Sequence, residues 1–258
     1  MANIDLYSLS AVLLEMYFDK TNLSQGTGFF WRVGGEYFLI TNWHNVSGKH
    51  PVTGKHLSPT LAEPNAIRVW WGIRNKLSLR GAIDYPLRDS DGQPLWFVHP
   101  THGRNVDAVA LPLSPPDDTE PYAINTLPQL DMLTTVGMDV YVLGYPFGMT
   151  QSAVLPIWKR GSLASEPEVA GTDGSDLNML LDTASRPGMS GSPIIQRSWG
   201  TALLANGTVM ALDGAATKFI GVYSGRIQGS DAIDAQLGIG WPAAFVPEVI
   251  SGRRRDDA

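Results

Sequence analysis

One serine of this 258-residue chain stands in a setting that suits a nucleophile. Ser190 lies in the stretch RPGMSGSP (186–193), with one glycine two positions before it and another directly after it. Because glycine permits backbone angles that strain other residues, such a turn can aim several N–H groups at one point. A serine nucleophile needs that arrangement, since its reaction builds a negatively charged oxygen. Taken alone, the stretch is equally compatible with a glycine-rich turn between two strands.

A histidine and an aspartate that could activate this serine occur earlier in the chain. His44 follows the apolar run 37–40 at the end of a predicted strand, and Asp107 stands at the start of another. Serine needs a base, which histidine provides near neutral pH, and an aspartate can fix the tautomer of that histidine. By itself, Asp107 could equally cap the start of a strand. The order His, Asp, Ser is that of the chymotrypsin type and not of the α/β-hydrolases or subtilisins.

Together these segments resemble the trypsin-like serine peptidases, most closely the disulfide-free bacterial ones related to the HtrA proteases. The likeness includes GTGF (26–29), GYPFG (144–148) and IGVYSG (220–225), so it covers most of the chain. It implies an all-β fold of two packed antiparallel six-stranded β-barrels with a short C-terminal helix. It also implies a serine endopeptidase that acts on protein or peptide substrates, without a cofactor, a metal or a PDZ domain.

The resemblance assigns roles to residues around the serine. His44, Asp107 and Ser190 would form the catalytic triad, and the backbone N–H groups of Gly188 and Ser190 would form the oxyanion hole. The predicted substrate pocket consists of Ala184, Ser185, Tyr223, Ser224, Gly225, Gly238 and Gly240. Alanine at the base and glycines in the walls predict a neutral pocket for small or medium uncharged side chains.

Two further positions bear on the activity. Digestive trypsins carry an aspartate directly before the serine, where it pairs with a newly cut N-terminus, but this chain has Met189 there. The resemblance therefore implies that no such activation switch operates. Arg186 and Arg226 could attract an acidic substrate to the pocket, or they could simply be solvated charges.

The elements expected to position these residues are mostly strands. Residues 29–33 and 36–41 flank Gly34-Gly35 and predict a hairpin, and the Asn206-Gly207 pair predicts a second one. A β-branched and aromatic run predicts a strand over 66–71. Residues 8–18 could form a helix from Ser10 onward, although the resemblance favours a first barrel strand. A short helix is predicted only over 242–250.

A proline-rich, acidic stretch over 112–121 predicts a linker. It divides the chain into an N-terminal unit, 1–120, that carries His44 and Asp107, and a C-terminal unit, 121–258, that carries Ser190. Both units would belong to one peptidase.

The composition excludes several classes of protein. With 43% hydrophobic residues the chain can form a packed core, and its net charge of −6 offers no basic surface for nucleic acid. The absence of cysteine excludes disulfides, thiolate metal sites and a cysteine nucleophile. Neither a signal peptide nor an apolar run near the roughly 18 residues of a membrane helix is found, so we expect a cytoplasmic protein. The basic run 253–255 and the two aspartates after it indicate a solvated tail.

Three alternatives compete with the peptidase. The other histidines, 50, 56, 99 and 102, fall in predicted loops, and a metal site of His44, His50 and His56 matches no common ligand spacing. A catalytically silent scaffold that binds peptides as a partner module would be favoured by the loss of a triad residue, but all three are present. An α/β-hydrolase esterase requires the order Ser, Asp, His and is set aside.

Overall fold

The computed structural model describes residues 4–151, 154–169, 177–184, 186–226 and 237–257. Strands dominate, and the described chain contains three short α-helices and two 3₁₀ turns. The strands are β1 (Ala11–Phe18), β2 (Thr21–Val33), β3 (Glu36–Thr41), β4 (Ala66–Ile73), β5 (Lys76–Pro86), β6 (Phe97–Val98), β7 (Val109–Leu113), β8 (Asp139–Gly144), β9 (Ile157–Leu163), β10 (Met179–Asp182), β11 (Pro193–Leu203), β12 (Val209–Arg226), β13 (Leu237–Pro242) and β14 (Arg254–Arg255). The helices are α1 (Leu6–Ser10), α2 (Trp43–Ser47) and α3 (Phe245–Gly252), and the 3₁₀ turns are Ile124–Thr126 and Pro146–Gly148.

The first sheet contains the predicted hairpin of residues 29–41. Strands β2 and β3 pair antiparallel around Gly34 and Gly35, whose φ angles are +56° and +94°. Positive φ at both central residues is the requirement of the type I′ turn, which matches the twist of the flanking strands. The complete sheet has the strand order β14-β6-β7-β3-β2-β1-β4-β5.

The second sheet is a closed six-stranded barrel with the order β10-β13-β12-β11-β8-β9. Its longest hairpin, β11–β12, turns at Asn206-Gly207, as the sequence predicts. The all-β fold with two packed β-units and a short C-terminal helix is thereby confirmed. The first unit has eight strands rather than six, because the short strands β6 and β14 extend its edge beyond β7.

The largest hydrophobic core joins the two sheets and the last helix. Phe29 of β2 and Phe219 of β12 lie 5.4 Å apart between ring centroids, and Phe245 and Val249 of α3 close the same cluster. Smaller cores fill each unit separately, with Trp43, Trp71 and Trp96 in the first and Met179, Met189 and Tyr223 in the second. Burial of this apolar surface, the main driving force for folding, therefore fixes each sheet and also the contact between them.

In the N-terminal segment the predicted strand forms, and a helix from Ser10 onward does not. Residues 6–10 form the helix α1, which Asp5 caps by accepting a hydrogen bond from Tyr7 N at 2.9 Å. The chain then continues as β1, so the predicted first strand is confirmed from Ala11 onward. No helix in the described part of the chain is long and apolar enough to cross a membrane.

Two segments expected at the surface are instead integrated into the fold. His99, predicted to be an exposed loop residue, is 2% exposed, and its Nε2 lies 2.9 Å from Glu248 Oε2 of α3. Burial lowers the pKa of His99, against the opposing effect of Glu248. The expected solvated tail is correct only for the arginine side chains, which are exposed, because the backbone of Arg254 and Arg255 forms β14 and pairs with Val98 and Phe97 of β6.

The predicted linker is shorter than its composition indicates. Its first residues, Pro112 and Leu113, belong to β7, and Thr119 is buried and forms a bridge to Ile73 at the end of β4. Proline is tolerated here because residue 112 is exposed on the strand. Most of the stretch therefore packs on the first sheet.

Candidate active site

Asp107 and His44 are in direct contact in the candidate site. His44 Nδ1 lies 2.6 Å from Asp107 Oδ2, and the backbone N–H of His44 donates to Asp107 Oδ1 at 3.0 Å. The aspartate side chain is 1% exposed, whereas that of the histidine is 16% exposed. An ionised carboxylate can only accept hydrogen bonds, so this contact places a proton on Nδ1 and leaves the Nε2 lone pair free for a proton.

The backbone around both residues explains the contact. Strand β3 ends at Thr41, and the single-turn helix α2 begins at Trp43, so His44 projects from the first turn of α2. Asn42, buried between them, donates from Nδ2 to the carbonyl of Asp107 at 2.6 Å. This bond holds the segment before β7 against the segment after β3. An amide side chain thus provides the hydrogen bond where the two strands no longer pair.

Ser190 follows one tight turn and lies in a second, in which Ser192 N donates to Met189 O at 3.1 Å, as its flanking glycines predict. In the first turn, Met189 N donates to Arg186 O at 3.2 Å, and Gly188 occupies the third position with φ +91°. A type II turn requires positive φ there and favours proline at the second position, which is Pro187. A Cβ atom on Gly188 would also clash with the carbonyl oxygen of Tyr145, so glycine is required twice over.

Thr27 of the first sheet holds the segment that carries Ser190 through two hydrogen bonds. Its backbone N–H donates to Ser190 O at 2.8 Å, and its Oγ1 donates to Gly188 O at 2.8 Å. Asn45 of α2 adds a bond from Nδ2 to Ser190 O at 3.2 Å. The N-terminal unit therefore supplies His44 and Asp107 and also the contacts that fix the turn that carries Ser190.

Within the described chain, the backbone N–H groups of Gly188 and Ser190 donate to no acceptor. The carbonyl groups of the same two residues are occupied by Thr27 and Asn45, so the two N–H groups are the part of the turn left for a ligand. Adjacent N–H groups of this kind form a concavity for an anion.

Ser224 connects the acid to the serine and has a larger role than the sequence indicates. Its hydroxyl donates a short hydrogen bond to Asp107 Oδ2, while its carbonyl accepts from Ser190 Oγ at 3.3 Å. The sequence analysis places Ser224 only in the pocket wall. Within the described chain, Ser190 Oγ therefore bonds to Ser224 and not to the imidazole of His44.

The predicted pocket residues converge on three neighbouring strands. Tyr223 of β12 lies opposite Gly240 of β13, and Gly225 lies opposite Ile239. Strand β10, which leads to Ala184, pairs with the same part of β13. A Cβ atom on Gly238 would meet the buried ring of Tyr223. Ser185 lies outside the described residues.

Lys159 of β9 is a residue that the sequence analysis missed. Its ammonium group donates a short hydrogen bond to the carbonyl of Ala184, at the predicted base of the pocket. Burial, with a smaller contribution from the positive charge of Arg186, lowers the pKa of Lys159. No sequence motif marks this lysine, because pairing of the barrel strands brings it to residue 184.

The other two histidines of the metal-site alternative contact other residues. His56 Nδ1 lies 3.6 Å from Glu63 Oε1, and His50 accepts from the backbone of its own loop, whereas His44 faces Asp107. Among the described residues, no group of three histidine, aspartate or glutamate side chains is arranged to hold a metal ion.

The sequence matches a known family over this region. Residues 26–202 match the model of the trypsin-like peptidase domain, which is more than half of the chain and includes all three candidate residues. The chain therefore belongs to the trypsin-like peptidase family and is a serine peptidase. No curated protein matches the sequence.

Solved structures align with this chain at low sequence identity. The serine endoprotease from Yersinia pestis aligns with 97% of this chain and 67% of its own at 13% identity, with a TM-score of 0.53. The active form of the Rv3671c protease from M. tuberculosis aligns with 95% of this chain and 81% of its own at 18% identity, with a TM-score of 0.48.

Proposed function

We propose that this protein is a serine endopeptidase that cleaves proteins or peptides through an acyl-enzyme intermediate. Ser190 is the nucleophile, His44 the general base and acid, and Asp107 the group that orients the imidazole. The observation that carries the proposal is the contact of 2.6 Å between His44 Nδ1 and Asp107 Oδ2, beside a serine on a turn with free N–H groups.

The chemistry follows from these groups. Ser190 Oγ attacks the carbonyl carbon of the scissile bond while its proton passes to His44 Nε2. The oxygen of the tetrahedral intermediate becomes negative and is held by the N–H groups of Gly188 and Ser190. When the C–N bond breaks, His44 returns the proton to the leaving amine. Water then attacks the acyl-enzyme by the same route and regenerates the serine.

Ser190 Oγ must leave the carbonyl of Ser224 before it can donate to His44. Catalytic hydrogen bonds are often long or misaligned before substrate binds and tighten in the complex, so the resting geometry is compatible with this step. Ser224 serves as a positioning residue, because its hydroxyl satisfies Asp107 Oδ2 together with the imidazole. These hydrogen bonds hold the carboxylate against the imidazole, where its negative charge can stabilise the imidazolium.

The alternative is a catalytically silent scaffold that binds peptides. A fluorophosphonate probe distinguishes the two, because it modifies only a serine that a base has activated. We expect labelling of Ser190, identified by mass spectrometry of the modified peptide. A protein that binds peptides but takes up no probe would be the silent scaffold.

We also predict that activity needs no processing of the N-terminus. Met189 is 1% exposed and packs in the barrel core, so the position before Ser190 has no carboxylate to receive a new terminal amine. We expect the untrimmed chain that starts at Met1 to react with the probe. Its labelling rate should equal that of a second sample whose N-terminus has been trimmed by a protease. A requirement for trimming would contradict this prediction.

The pocket predicts cleavage after uncharged residues such as Val, Ala, Leu or Met. A basic side chain would be buried without a carboxylate partner from the predicted wall residues, which costs several kcal/mol. Lys159 at the base supports this exclusion, because its charge repels Lys and Arg. A peptide library profiled by mass spectrometry measures the preference.

Two results of the library would change this assignment. A dominant preference for Lys or Arg would refute the neutral pocket. A preference for Glu would instead assign the specificity to the cations Lys159, Arg186 and Arg226, and the Lys159→Met variant should then lose it while retaining reactivity toward the probe.

A further inference from the structure

The C-terminal segment carries a buried carboxylate, that of Asp256. Strand β14 aligns antiparallel with β6, and Asp256 directly after it is 8% exposed. Arg254 Nη1 donates to Pro100 O at 3.1 Å, and Arg255 Nη1 donates to Asp89 Oδ2 at 3.0 Å. These bonds lie at the surface and align the strand, whereas the aspartate points into the core.

Two buried indoles hold this carboxylate. Asp256 Oδ2 accepts from Trp43 Nε1 at 2.6 Å and from Trp96 Nε1 at 3.2 Å, and both tryptophans are fully buried. A buried carboxylate is costly without hydrogen-bond donors, and a buried indole N–H is costly without an acceptor. Each partner therefore satisfies the other, and removal of the carboxylate leaves two donors without an acceptor.

One of these indoles belongs to the candidate active site. Trp43 is the first residue of α2 and directly precedes His44. A helix of five residues has little stability of its own, so its position depends on tertiary contacts. The bond from Trp43 to Asp256 fixes the start of α2, and the backbone N–H of His44 one residue later must remain 3.0 Å from Asp107 Oδ1.

We propose that Asp256 is a positioning residue for the general base. Through Trp43 it holds α2 where the His44 imidazole contacts Asp107, the position from which it would accept the proton of Ser190 in the proposed reaction. The inference rests on the proposed function, because it concerns the base of that reaction. It assigns a role in activity to a segment 213 residues away from Trp43 in the chain.

The test compares rates of Ser190 phosphonylation by a fluorophosphonate probe in the full-length protein. Because a small displacement of a catalytic group can cost about 10²-fold, we expect Asp256→Ala to slow the reaction by roughly 10- to 100-fold. Asp256→Asn keeps an oxygen acceptor for both indoles and should retain most of the rate. Asp257→Ala is the matched control, because that carboxylate is 82% exposed and, among the described residues, pairs only with Arg254.

A second pair of variants separates positioning from stability. Trp43→Phe and Trp96→Phe each remove one buried indole N–H from Asp256, but only residue 43 adjoins His44. We expect a slow reaction in the first and a nearly normal rate in the second, at a temperature where circular dichroism shows both to be folded. This pair also tests the proposal if Asp256→Ala does not fold.

Several outcomes would overturn the proposal. They are a wild-type rate in folded Asp256→Ala, a folded Asp256→Asn as slow as the alanine variant, or equal losses in the two tryptophan variants. Failure of the wild-type protein to react at all would instead contradict the proposed function.

Discussion

The Ser190→Ala variant is expected to lose hydrolysis of casein or a peptide substrate while keeping its fold. Removal of the nucleophile from a triad of this kind costs on the order of 10⁶ in kcat. The fold should persist because, within the described chain, the Ser190 hydroxyl makes one hydrogen bond, to Ser224 O at 3.3 Å, whereas the turn is held by its backbone. Kinetics and circular dichroism on the same samples measure both effects.

Ser192→Ala provides the matched control in the same turn. Its hydroxyl is fully buried and makes no hydrogen bond within the described structure, and its backbone groups pair with Met189 and Tyr223. The same chemical change two residues away should therefore leave turnover close to that of the wild type. Unchanged turnover in the Ser190 variant would show that another residue is the nucleophile.

The second large effect is expected for Asp107→Asn, which should lower kcat by on the order of 10⁴, as in the analogous substitution of serine proteases. The amide can donate toward the imidazole, so it favours the tautomer with the proton on Nε2. His44 could then no longer accept the proton of Ser190. The volume of the side chain is conserved, so the loss should appear in kcat without a comparable loss of stability.

Asp131→Asn is the control for this prediction. From the sequence, Asp131 is the next candidate for an orienting carboxylate, but it lies 2.8 Å from Lys218 Nζ and its side chain is 79% exposed. Its replacement should therefore have little effect. A loss smaller than about tenfold in the Asp107 variant would contradict the role of Asp107 in fixing the tautomer.

The sequence predicts those parts of the site that local chemistry determines. Gly188 is required by the backbone angle of its turn. His44 follows the end of one strand pattern and Asp107 precedes the start of another, so these positions could be found without a structure. The all-β fold is predictable for the same reason, since alternating strands and Asn-Gly or Gly-Gly turns are local signals.

Contacts between distant parts of the chain could not be predicted in this way. Ser224 meets Asp107 across 117 positions, and Lys159 meets the carbonyl of Ala184 on another strand of the barrel. The sequence places Asp256 in a solvated tail, because a short charged run carries no information about the two indoles that bind it. It places His99 in an exposed loop for a similar reason, since the docking of α3 against this residue is a long-range contact.

The pairing of β14 with β6 has a consequence for the protein during its synthesis. On the ribosome, domains usually fold from the N-terminal end as each emerges. Here the first sheet remains without its edge strand, and Trp43 without its acceptor, until residues 254–256 have left the exit tunnel. Both contacts therefore form late in synthesis, after the segments that carry His44, Asp107 and Ser190 have emerged.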